Sequence, residues 1–303
     1  MFEVSGRTFP LSDIKHEADA PMSDHTTFRV GGNAKEIFFP EDMDELLMVK
    51  RCFIGPAAKC MVIGKGSNLL FDEKGYDGVI ISIGKNFSKA EVEELEDGAG
   101  AVIRAQAGIR LADLALLARD HELEGLEFAY GIPGTLGGAV VMNAGAYGGE
   151  MKDVIESVIL IDENCNIKNV PASDMDFGYR HSAVTEKEIV AGAVLKLSKG
   201  KKADIQAKMD DFQARRREKQ PLEYASAGST FKRPEGYFAG KLIEDSGLKG
   251  YRVGDACVSE KHAGFVVNLG HATATDIKQL IADVQRIVYE KQGVHLEPEV
   301  RII

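Results

Sequence analysis

The chain has 303 residues, 44% hydrophobic and 28% charged, with a formal net charge of −10; this is the composition of a soluble globular protein with room for two or three domains, each with its own core. An acidic balance argues against a nucleic-acid partner, while a local basic pocket for a small anion stays compatible with it. No run of about 18 apolar residues exists and MFEVSGRTFPLSDIKHEAD has no apolar signal core, so no membrane insertion and a cytoplasmic location are expected.

In chain order, the pattern predicts a strand over Ala34–Pro40, a helix over Met43–Cys52 after the acidic turn Glu41-Asp42, and strands over Met61–Gly64 and Val79–Ile83. The acidic stretch Lys89–Gly100 reads as a hairpin or loop. A strand over Ala101–Ala107 follows, then a helix over Arg110–His121 with Leu111, Leu114, Ala115 and Ala118 on one face. Beyond a glycine-rich segment come strands over Val154–Asp162, Ile167–Val170 and Ile189–Leu197. A charged helix over Ala203–Gln220 ends at Pro221, with Arg215, Arg216 and Arg217 suiting its C-terminal end. The last third carries a strand over Gly264–Asn268, an amphipathic helix to Gln292 with Thr275 as its N-cap, and a closing strand over Glu299–Ile303. Three blocks result, 1–84, 85–205 and 206–303, in an α+β arrangement. Cys52, Cys60, Cys165 and Cys257 have no metal-ligand spacing and read as free thiols, and the seven histidines are scattered, so no metal site is expected.

Two segments concentrate glycine. Gly131–Gly149, GIPGTLGGAVVMNAGAYGG, holds seven, and Val62–Leu70, VIGKGSNLL, sets Gly64, Gly66, Ser67 and Asn68 after a strand-like run. Glycine loses the most backbone freedom on folding, so such density points to a backbone that approaches something closely. Successive amides in turns form nests that hold anions, phosphate above all, and two such loops suit the two ends of a dinucleotide. The Rossmann fingerprint is nevertheless absent: Leu69 stands where its third glycine belongs, and Gly84 where an acidic ribose partner would be. No GxxxxGK[ST] occurs either.

Three polar clusters follow. FGYRHS, Phe177–Ser182, sets Arg180 beside aromatics; AGSTFKRP, Ala227–Pro234, sets Ser229 after a glycine and before a basic pair; LEPEVR, Leu296–Arg301, sets Glu299 just after a proline. Together they supply a guanidinium for a carboxylate, a proton-bearing hydroxyl and a second ionisable group.

HTTFRVGGNA, VIGKGSNLL, GIPGTLGGAVVMNAGAYGGE, FGYRHS, AGSTFKRP, AGKLIEDSGLKG and LEPEVRII occur in one order across essentially the whole chain, and in this the sequence resembles the UDP-N-acetylenolpyruvoylglucosamine reductase (MurB) family. The resemblance implies an FAD-binding fold of the vanillyl-alcohol-oxidase (PCMH-like) type, made of two α/β subdomains (1–84 and 85–205) and a C-terminal α+β substrate domain (206–303) whose last strand can return to the flavin site. It assigns Gly64, Lys65, Gly66, Ser67, Asn68 and Leu69 to one FAD loop. Gly131, Ile132, Pro133, Gly134, Gly137, Gly138, Asn143 and Ala144 form the other. No histidine lies in either segment, so the FAD is expected to be non-covalent.

The resemblance further implies that NADPH reduces the flavin and leaves, and that the enolpyruvyl ether of UDP-N-acetylglucosamine then takes a hydride from flavin N5 at its terminal carbon, yielding UDP-N-acetylmuramate for peptidoglycan. Arg180 would stabilise the enolate, Glu299 would hold or protonate the aci-carboxylate, and Ser229 would give the proton. Tyr179, Lys232, Arg233, Lys241 and His262 are expected to contact the substrate, the three cations at its diphosphate. No protein partner is implied. The run His181-Ser182-Ala183 leads quickly into the next strand, so the chain resembles the shorter class, without an inserted tyrosine loop.

Overall fold

The computed structural model describes residues 1–53 and 59–303. The chain forms two compact units that are discontinuous in sequence: Met1–Glu17, Glu36–Lys65 and Gly78–Ala214 make one, and Ala18–Lys35, Gly66–Asp77 and Arg215–Ile303 the other.

The first unit is organised by an antiparallel sheet in the order Ile167–Pro171, Ile155–Ile161, Ile189–Lys199, Gly100–Gln106, Ala90–Glu94, with the short strand Leu123–Glu124 also pairing with Ile189–Lys199. Its central strand begins with seven consecutive buried residues, IVAGAVL, as a strand covered on both faces requires. At the edge, Ala90–Glu94 realises the hairpin reading of the acidic stretch; its outward carboxylates blunt an otherwise open edge. Helices Leu111–Asp120 and Leu136–Val141 contribute Leu111, Leu114, Ala115, Leu136, Ala139 and Val140 to the core of this unit. Strands Cys60–Ile63 and Tyr76–Ser82 pair in parallel, Cys60 opposite Val79 and Ile63 opposite Ser82. Helix Met43–Cys52 starts at Asp42, whose side chain accepts from the Glu45 amide.

The second unit holds an antiparallel sheet in the order Ala225–Ser226, Val266–Asn268, Ala256–Val258, Arg252–Val253. Helix Ala274–Gln292 buries Ile277, Leu280, Ile281, Val284 and Val288 in the core of this unit. Its N-cap is Thr273 rather than Thr275: the Thr273 hydroxyl accepts from the Asp276 amide and the Asp276 carboxylate accepts from the Thr273 amide, a reciprocal capping box. Thr275 instead donates its amide and hydroxyl to the Glu73 carboxylate. The closing strand is shorter than expected, Arg301–Ile302, and runs parallel to Leu69–Leu70. Strand Val266–Asn268 is likewise shorter than the pattern predicts, and helix Ala239–Asp245 and strands Arg252–Val253 and Ala256–Val258 are additional to it.

Candidate active site

In the first unit the two glycine segments touch. A Cβ placed on Gly64 would lie 2.1 Å from the Thr135 Oγ1, so only glycine lets the strand Cys60–Ile63 end against the turn that opens helix Leu136–Val141. Gly137 is held close in the same way, a Cβ placed on it lying 3.0 Å from the Ala107 Cβ, whereas a Cβ on Gly138 would meet open space and the residue is exposed. The segment thus presents bare backbone beside a packed wall, a cradle that side chains would fill. Its far end is a two-residue hairpin: Gly145–Ala146 pairs with Gly149–Glu150, and the two turn residues Tyr147 and Gly148 both have positive φ, 54° and 90°, as a turn matched to strand twist requires. Tyr147 is held there by stacking on Phe212 at 4.4 Å and 6°, and its hydroxyl donates to the Phe212 carbonyl at 3.1 Å.

Arg180 sits at the tip of a tight turn. Gly178 and His181 exchange backbone hydrogen bonds of 3.1 and 3.2 Å, and Arg180 takes φ 55° between them. The left-handed region costs a side-chain-bearing residue about 1–2 kcal/mol, so the surroundings must hold it. They do so at both ends. The Asn143 Nδ2 donates to the Gly178 carbonyl at 3.0 Å, and the Ser182 hydroxyl donates to the Val141 carbonyl at 2.8 Å. Asn143 also donates to the Glu150 carboxylate at 3.0 Å and accepts from the Lys152 amide at 2.9 Å. Lys152, the Asn143 amide and the charge of Arg180 together hold Glu150 below the usual carboxylate range, against the opposing effect of its burial. The Arg180 guanidinium lies 5.3 Å from the centre of the Tyr179 ring, which is 52% exposed.

The other two expected catalytic residues belong to the second unit, on paired backbones. The Glu299 amide donates to the Thr230 carbonyl at 2.8 Å, Phe231 bridges Pro298, and the Lys232 amide donates to the Glu297 carbonyl at 2.8 Å. Ser229 is exposed and Glu299 half-buried. The glycine loop contributes here too: the Asn68 Nδ2 donates to the Glu299 carbonyl at 3.1 Å, and the Asn68 carbonyl accepts from the Arg301 amide at 3.0 Å. Gly66, at φ 62°, packs on the His25 carbonyl, which a Cβ would approach to 2.3 Å.

The expected substrate contacts in this unit are spread out. Lys232 pairs with Glu297 and Lys241 with Asp245. The Arg233 guanidinium lies 4.0 Å from the centre of the Phe238 ring and donates to the Tyr237 carbonyl. His262 is half-buried, its Nδ1 accepting from the Gly264 amide at 3.1 Å and its ring against Phe265. Burial, with the nearby charge of Lys249, pushes its pKa below the ordinary 6.5, and the imidazole stays neutral at pH 7. Sequence reasoning missed Thr135, Ser182 and Glu150, none of which stands in a motif that names its partner. Among the described residues all four cysteines are free, no group of three or more His, Cys, Asp or Glu is placed to hold a metal, and no helix is long and apolar enough to cross a membrane.

Comparison with known proteins matches this architecture. The family model described as "FAD binding domain" covers residues 34–170, and that described as "UDP-N-acetylenolpyruvoylglucosamine reductase, C-terminal domain" covers residues 220–303. The UDP-N-acetylenolpyruvoylglucosamine reductase of Agathobacter rectalis is 51% identical over 312 residues, spanning 99% of this chain and 98% of its own. That of Clostridium perfringens strain 13 is 48% identical over 303 residues, spanning 100% and 97%. The crystal structure of the Thermus caldophilus enzyme (MurB) superposes with a TM-score of 0.77 at 35% identity, over 95% of this chain and 98% of that one. FAD is the cofactor, and the bare backbone of the glycine segments, with no histidine in either, fits it. The α+β chain described above belongs to the UDP-N-acetylenolpyruvoylglucosamine reductase family, the FAD-dependent oxidoreductases of peptidoglycan precursor synthesis.

Proposed function

We propose that this chain reduces the enolpyruvyl ether of UDP-N-acetylglucosamine to UDP-N-acetylmuramate with NADPH as reductant, in the cytoplasm. When bound on the two glycine segments, FAD would supply the redox chemistry by which a hydride equivalent from NADPH reaches the terminal carbon of the enol ether. Residues 1–84 and 85–205 serve the cofactor in this reading, and 206–303 the substrate. The backbone amides of Gly64–Leu69, Gly131, Gly134 and Gly138 are the ones offered to the pyrophosphate; Ile132, Gly137 and Ala144 give theirs to the Ala129, Ala107 and Ala139 carbonyls and Pro133 has none, so these four shape the cradle.

The chain's own residues handle the charge and the proton. Hydride addition leaves an enolate, with charge on the carbon beside the carboxylate and on the carboxylate itself. The Arg180 fork donates to that carboxylate as the charge builds, which a lysine's point charge does less well. The Glu299 carboxyl holds the aci-carboxylate through a shared proton. The Ser229 hydroxyl gives its proton to the carbanionic carbon, and the serine recovers a proton from solvent. A serine is a weak acid in water, but the enolate is a strong base and the hydroxyl need only be held within hydrogen-bond reach. Lys232, Arg233 and Lys241 are proposed to meet the diphosphate, with Tyr179 and His262 at the sugar.

The observation that carries this reading is the backbone pairing of Thr230 with Glu299, which puts the exposed Ser229 and the Glu299 carboxylate on adjacent segments of the second unit. Turnover of NADPH with the enolpyruvyl UDP-sugar, followed by mass spectrometry of the nucleotide product, tests it: a product heavier by two hydrogens supports the assignment, and NADPH oxidation with the UDP-sugar unchanged contradicts it.

A further inference from the structure

Each glycine segment carries one asparagine, and in both the side-chain amide turns to the protein's own backbone. Asn143 is 1% exposed and its amide is fully committed: one Nδ2 hydrogen to the Glu150 carboxylate, the other to the Gly178 carbonyl, with Oδ1 accepting from the Lys152 amide. Both contacts of Nδ2 are acceptors, which fixes the orientation of the amide. No donor is left for a ligand phosphate. The Gly178 carbonyl that it meets is also the one that closes the turn around Arg180. In the second unit the Asn68 side chain donates to the Glu299 carbonyl while its own carbonyl accepts from the Arg301 amide, so a single residue clasps the backbone on both sides of Val300.

We propose that Asn143 and Asn68 are positioning residues, Asn143 for Arg180 and Asn68 for Glu299, each tying a cofactor loop to the charged group its own unit supplies to the reaction. The claim rests on the roles of Arg180 and Glu299 in the reading above. The chemistry asks for donors aimed where charge develops, and a small misplacement forfeits much of their effect. Arg180 needs such a support because its φ of 55° is unfavourable for a side-chain-bearing residue. Ser182, bonded to Val141, completes the clamp on the far side of the same turn.

Two readouts on the flavin-loaded protein test this. Asn143→Gly keeps a backbone that tolerates φ 40° and removes only the amide. It is expected to speed hydrogen exchange at the His181 amide, and Asn68→Ala to do so at Glu299 and Arg301. Each is also expected to slow single-turnover flavin reoxidation by the enolpyruvyl UDP-sugar about tenfold. The slowing disappears in a background that already lacks the group being positioned, Arg180→Ala for Asn143 and Glu299→Gln for Asn68. Unchanged exchange, or slowing that multiplies fully in those backgrounds, overturns the positioning role. An Arg180→Ala or Glu299→Gln variant that reoxidises at the parental rate instead overturns the reading beneath it, and the two failures are separately visible. Should Asn143→Gly not fold, Ser182→Ala is read by the same exchange and the same cycle with Arg180.

Discussion

The amide of Glu299 donates to the carbonyl of Thr230 at 2.8 Å, so the carboxylate and the neighbouring Ser229 hydroxyl are carried on two backbones locked in register. The pairing fixes how far apart the two main chains that carry them lie. Ser229→Ala removes the proposed proton donor and leaves that pairing intact. Reduction of the flavin by NADPH is expected to persist, and reoxidation by the enolpyruvyl substrate to slow by about 100-fold or more. Transient kinetics of the two half-reactions check this, and equal loss in both removes Ser229 from the proton transfer.

Arg180→Lys keeps a positive charge and loses the planar fork. Reoxidation is expected to slow by about 100-fold, with a smaller effect on reduction. Lysine at φ 55° is no more strained than arginine, so the melting temperature should move little. A parental reoxidation rate in this variant contradicts the assignment.

The Gly64 contact makes a packing prediction. Gly64→Ala drives a methyl into the Thr135 hydroxyl, and overpacking of this kind costs about 1–3 kcal/mol. The purified variant is expected to retain less flavin and to melt lower. Adding Thr135→Ala removes the Oγ1 at 2.1 Å and leaves a Cβ at 3.3 Å, so the pair should regain flavin. Absorbance of the flavin band per protein measures both, and no recovery in the double variant argues against a direct clash.

His262 gives a pH dependence whose sign is fixed. Its pKa in the folded protein lies below 6.5, so between pH 7 and the folded value the unfolded chain binds more protons, and stability falls as the pH is lowered through about 6.5. Protonation would also take the Nδ1 lone pair from the Gly264 amide. His262→Gln should flatten the slope of unfolding free energy between pH 7 and pH 5. Denaturant titrations at both ends measure it, and an unchanged slope contradicts a half-buried imidazole kept neutral by its surroundings.

What the sequence revealed follows from which signals are local. Strand Ile189–Lys199 and helix Ala274–Gln292 were legible because long apolar runs and a 3.6-residue period belong to single segments. The true cap of that helix was readable in principle, since Thr273 precedes Asp276 at capping-box spacing while Thr275 lacks such a partner. Helix Ala239–Asp245 and strands Arg252–Val253 and Ala256–Val258 are too short for either period to stand out. At the site, the glycine density announced a bare backbone but not that Gly64 needs it to pass Thr135, a residue far along the chain. Asn143 and Asn68 were grouped with the cofactor because they sit in its loops, and only the fold shows where their amides point. Nor could a linear reading show that Gly66–Asp77 folds with the C-terminal residues.

The most direct test of the whole account is an anaerobic stopped-flow experiment on the flavin-loaded protein, following the oxidised-flavin absorbance band through successive additions of NADPH and the enolpyruvyl UDP-sugar. The account predicts bleaching by NADPH and recovery of the band when the UDP-sugar is mixed in. Bleaching with no recovery would contradict the substrate and the roles given to Ser229, Arg180 and Glu299.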